Sequence, residues 1–208
     1  MKKLLILLLI LSGIYTTSSA QSRNAFEAGF SVGLNSSNVQ YSQTNENSAY
    51  TSGVNVGGYL EYYFSDRWSI KGKLNYDQKG FGNGFLILND GTEIDGVNYH
   101  LNYITIPVMA NWHFGRQRNW YLHFGPYVGI LTSANESSNT VDVKDSFNAT
   151  DVGIDLGIGV KLPITNRIKI FLEYDGQSGA TGIFKDSPGV TVLNIRSSFN
   201  VGLTFSVN

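Results

Sequence analysis

The chain has 208 residues, enough for one domain or one barrel, and its 15 basic and 16 acidic residues leave a formal net charge of −1, which gives no electrostatic footprint for nucleic acid. Cysteine is absent, so disulfides, thiolate metal sites and a lipidated N-terminal cysteine are excluded. Charged residues make up 15%, aromatics 13%, and glycines number 23; an ordinary soluble chain carries about 25% charge.

Residues 1–20 read as a secretory leader. Lys2 and Lys3 supply the positive start, residues 4–11 the apolar core, and Ser18, Ser19 and Ala20 a small-residue cleavage site. That core is far shorter than the about 20 residues of a membrane-spanning helix. The mature chain, residues 21–208, is one barrel domain with 13 basic and 16 acidic residues once Lys2 and Lys3 are gone.

From there the sequence alternates at period two, the spacing of strands whose side chains point to opposite faces. Strand one spans residues 25–35, with Phe26, Ala28, Phe30, Val32 and Leu34 opposed to Glu27, Gly29, Ser31, Gly33 and Asn35. A polar loop at 36–52 precedes strand two (53–64), a tight turn at 65–67 and strand three (68–79). A second loop, 80–96, follows, and its apolar run at 85–88 is able to extend the hairpin. Strands four (102–114) and five (120–130) flank the short turn 115–119. They put Ile104, Ile106, Val108, Trp112, Trp120, Leu122 and Phe124 on one face. After a Ser/Asn/Asp-rich loop at 132–149 comes strand six (150–162), where Val152, Ile154, Leu156, Ile158 and Val160 oppose Asp151, Gly153, Asp155, Gly157 and Gly159. Strand seven (168–176), a loop at 177–191 and strand eight (192–207) complete the chain.

Eight strands joined by alternating long and short connections fit an antiparallel up-and-down transmembrane β-barrel, with short periplasmic turns and longer outer loops. Trp68, Trp112 and Trp120 all fall beside short turns on the apolar face, the place of an interfacial aromatic girdle. The strings YITIPV (103–108), GPYVGIL (125–131) and DVGIDLGIGVKLP (151–163) resemble the outer-membrane β-barrel family of Bacteroidetes, called porin-like or PorT-like after a member involved in protein secretion. The resemblance covers most of the mature chain. It implies an eight-stranded outer-membrane barrel and little about activity.

The same alternation describes a secreted lipocalin-like barrel with apolar residues around a small ligand. An eight-stranded interior is only wide enough for side chains or one small ligand, and six apolar residues per strand with three tryptophans would overfill it. Lipid therefore belongs outside. The lumen then receives Glu27, Glu61, Asp77, Asp151, Asp155, Glu173 and Asp175, with Lys71, Lys73, Lys79, Lys161, Lys169 and Arg196. These read as a paired network plugging the barrel, since buried charges need partners.

The search for chemistry is short. His113 and His123 flank one turn on the lumen side and are placed to approach each other, but no third metal ligand stands at a diagnostic spacing. No serine sits in a G-x-S-x-G elbow or pairs recognisably with a histidine and an acid. No catalytic, cofactor-binding or metal residue is assigned. Pro107 and Pro126 are expected to mark bulges. The expectation is a non-enzymatic outer-membrane protein of structural or interaction role, with the lipid bilayer around it and envelope or secretion proteins as the partners its long outer loops would meet. A membrane-embedded lipid-modifying enzyme is the third reading.

Overall fold

The computed structural model describes residues 24–43, 47–87, 93–136, 142–185 and 189–207. The expected leader lies outside these residues. Eight strands form: β1 (Phe26–Tyr41), β2 (Thr51–Tyr63), β3 (Trp68–Ile87), β4 (Glu93–Phe114), β5 (Trp120–Glu136), β6 (Thr150–Pro163), β7 (Ile168–Gly179) and β8 (Val192–Val207). Each pairs antiparallel with its chain neighbours, and β8 closes the barrel on β1. The closing seam runs from Phe26↔Val207 to Tyr41↔Val192 without a register shift. A closed ring leaves no unpaired edge.

The alternation dictates the facing. Leu34, Leu60, Ile154 and Leu156 are 61–69% exposed, whereas Glu61 and Asp151 are at most 1% exposed. Apolar side chains cover the outside and polar ones fill the centre, the reverse of a ligand-carrying soluble barrel. Trp68, Trp112, Trp120 and Phe64 lie outside at the short-turn end. Phe114 stacks between Trp112 and Trp120, at ring-centroid distances of 5.3 and 6.4 Å.

Strands reach further at the long-connection end than the sequence pattern indicates. β1 continues past Asn35 because Ser36, Ser37 and Asn38 keep their rungs with β8; backbone pairing overrides a polar composition that signals loop. β3 and β4 build one long hairpin that absorbs much of the expected 80–96 loop. β5 runs to Glu136 and β7 to Gly179. The prolines also depart from expectation. The β4–β5 register is the same at Pro107↔Tyr127 as at Ala110↔Phe124, and the shift lies instead between Asn102 and Tyr103. Pro107 and Pro126 interrupt pairing locally without changing register.

Above the polar lumen, the long hairpins carry an apolar core. Val39, Phe81, Val97, Leu101, Leu131, Phe147, Ile183 and Val192 are buried together. Phe147 stacks on Phe184 at 4.8 Å, and Phe81 stacks on Tyr99 at 4.8 Å. Burial and the Glu136 carboxylate push the Tyr99 phenol above its ordinary value.

Candidate functional site in the barrel lumen

Alternate residues of every strand meet at the barrel axis, and their charges sort into four groups ordered from the short-turn end. The first is built on Lys161 of β6. Its ammonium donates to Glu27 at 2.6 Å, to the Tyr63 hydroxyl at 2.8 Å and to Glu61. Lys169 also donates to Glu27. In the second, Glu173 accepts from Lys71 and Lys73, both at 2.8 Å, and from Tyr121 at 2.7 Å. In the third, Arg196 lies 2.9 Å from Asp175 and 3.4 Å from Asp77. In the fourth, Asp151 accepts from Lys79 at 2.9 Å and from Asn194 at 3.0 Å.

All thirteen charges expected in the lumen are there. Twelve are buried, and Lys169 at the short-turn end is partly so. A water-sized sphere reaches almost none of their surface, so the polar belt is packed. Pairing offsets the cost of burying charge, because each carboxylate has a cation or several hydrogen-bond donors beside it.

Lumen glycines make this packing possible. A Cβ on Gly159 would meet the Tyr121 ring at 2.4 Å, and one on Gly157 would meet His123 Nε2 at 2.3 Å. Gly202 likewise stands against the Phe171 ring at 2.5 Å. Each small residue on one strand thus seats a large ring from another.

The histidines do not combine. Tyr121 lies between His113 and His123, with ring-centroid distances of 5.9 and 6.1 Å. His100 is exposed on the outer face of the β3–β4 hairpin. His113 does join a serine and an acid, a grouping not visible in the sequence: Ser69 Oγ is 2.9 Å and Glu61 Oε1 3.2 Å from its Nε2. A nucleophilic relay uses the two ring nitrogens oppositely, one toward serine and one toward the acid. Here both partners share Nε2, Ser69 donates directly to Glu61 at 2.6 Å, and all three residues are buried. The cluster has the geometry of a hydrogen-bonded brace joining β2, β3 and β4 rather than that of a relay.

His123, Asp155 and Asp175 bring one donor atom each within 4.8 Å of one another, a spacing open to a metal ion. Other groups already engage the carboxylates. Arg196 and Asn200 donate to Asp175 at 2.9 and 2.7 Å, and Gln177 donates to Asp155 at 2.8 Å. His123 lies 3.3 Å from Asp155 and 3.4 Å from Glu173. The Arg196 guanidinium, 2.9 Å from Asp175 and 3.9 Å from Asp155, already supplies positive charge beside both carboxylates.

Residues 19–185 match the family model for the outer membrane protein beta-barrel domain. The chain belongs to this family. Among solved structures, this outer-membrane barrel is similar to OprG from Pseudomonas aeruginosa, with 10% identity, a TM-score of 0.52, and coverage of 91% of this chain and 98% of that one. It is also similar to AlkL, determined in DMPC lipid bilayers, with 12% identity, a TM-score of 0.52, and coverage of 93% and 94%. At such identities the likeness concerns the fold alone. No curated protein matches the sequence. The apolar surface is therefore a lipid-facing one, and the short-turn end is the periplasmic end of an outer-membrane barrel.

Proposed function

We propose that this outer-membrane barrel is non-enzymatic and serves as a rigid membrane mount for its long outer hairpins, which meet other envelope proteins. The observation that carries the reading is the lumen. Its charges are consumed by one another, and the serine–histidine–acid grouping found among the described residues is buried with the wrong geometry for a relay. Binding capacity then resides in the hairpins, which have an apolar core of their own and stand beyond the bilayer. The resemblance to a Bacteroidetes barrel family with one member involved in protein secretion supports an envelope or secretion complex as the setting for such contacts.

The test uses a photo-crosslinking residue in place of Asn98, exposed on the β3–β4 hairpin, in intact cells, with heat-modifiable gel mobility as the check on folding. A discrete crosslinked envelope protein is expected, together with an absence of stepwise conductance when the purified barrel is placed in a planar bilayer. Regular porin-sized steps, or a folded barrel that forms no crosslink from Asn98 or other exposed hairpin positions, would overturn the reading.

A further inference from the structure

Charge is distributed unequally along the barrel axis. Four of the six arginines, Arg67, Arg116, Arg118 and Arg167, fall in the three short periplasmic turns, where Asp66 is the one acid. The connections at the opposite end carry a net negative sequence. These turns come every second strand around an eight-stranded ring, so their arginines are spread about the rim.

Two of these turns are also built alike. In the β2–β3 turn, Ser65 Oγ accepts from the backbone N–H of Arg67 at 3.3 Å and of Trp68 at 3.0 Å. In the β6–β7 turn, Thr165 Oγ1 accepts from the N–H of Arg167 at 3.2 Å and of Ile168 at 3.0 Å. Each arginine's carbonyl is then tied sideways to the next strand: Arg67 accepts from His113 N–H at 2.7 Å, and Arg167 from Ser206 N–H at 2.9 Å. Two hairpins on opposite sides of the ring thus fix the backbone at an arginine by the same three bonds. Between them, Arg118 is held 3.2 Å from Asp66. Phe64, Ser65, Asp66, Arg67, Trp68 and Arg118 line an open recess of about 640 Å³.

We propose that the periplasmic rim is a binding collar for anionic phospholipid of the inner leaflet, with arginines on the lipid phosphate and the tryptophan girdle against the glycerol and upper acyl chains. The recess joins the two chemistries this ligand requires, since guanidinium matches phosphate geometry and aromatic rings favour the headgroup boundary. A lipid is favoured over a soluble anion because the aromatic wall continues directly into the lipid-facing surface. The arginines lie at the level where bilayer phosphates sit, at the edge of the apolar band.

The experiment refolds the mature chain into phosphatidylcholine vesicles, with heat-modifiable mobility confirming the barrel. Electron spin resonance of chain-labelled phosphatidylglycerol and phosphatidylcholine reads their relative association with the protein. The wild type is expected to prefer phosphatidylglycerol by about three-fold or more, an effect of basic residues at an anionic surface. R67Q/R118Q/R167Q brings the ratio close to one, while K144Q/K185Q at the opposite end leaves it at the wild-type value. Should the triple variant not refold, R67Q and R167Q are read singly, and each lowers the ratio. A wild-type ratio of one, or a preference indifferent to these arginines, overturns the proposal. So does a protein that ignores phosphatidylglycerol but co-sediments with a soluble anionic glycan.

Discussion

Lys161 shows how much of the lumen rests on single side chains. It is 1% exposed and touches two carboxylates and a phenol. Lys161→Met would leave Glu27 and Glu61 facing each other across a dehydrated site. Removing one member of a buried pair costs about 3–5 kcal/mol. We expect a loss of that size in urea unfolding in vesicles, followed by tryptophan fluorescence, with part recovered in Lys161→Met/Glu61→Gln. The sequence showed that these residues share a face, because period two is enough for that. It did not show who meets whom: Lys161 and Glu27 are separated by 134 positions. The Ser69–His113–Glu61 brace escaped for the same reason, since three strands had to be brought into register first.

At the level of strands, the lumen is shared between large rings and glycines. Gly159→Ala would drive a methyl group into the Tyr121 ring, whereas a Cβ on Gly72 meets nothing within 4 Å. Overpacking typically costs about 1–3 kcal/mol, so Gly159→Ala is expected to lower unfolding stability by that amount. Gly72→Ala should stay within about 0.5 kcal/mol, the range of surface changes. The alternation of 151–163 made its strand legible at once, glycines included. The outer ends were less so, because Ser36–Asn38 and the β5 extension owe their strand form to neighbours rather than to their own composition. Pro107 and Pro126 were readable as interruptions, but the ladders on either side hold the register across them.

For the whole molecule, the decisive property is an apolar exterior around a charged axis. Leu156 is 61% exposed at the middle of β6, so Leu156→Arg places a charge in acyl chains. A lipid-facing arginine near the midplane costs about 2–4 kcal/mol; Leu156→Phe should be nearly neutral, and refolding yield with unfolding in vesicles separates the two. The fold class was legible because the strand count, the long–short rhythm of connections and the girdle all follow from bilayer physics. The packing of the hairpins was not, since their apolar core is assembled from residues such as Val39, Phe81 and Phe147, each set among polar residues or glycines. The packed axis has one more consequence. If the axis passes no current, as proposed, a cell could crowd its surface with such a protein without making that surface leaky, and abundance would not be limited by the need to keep the envelope sealed.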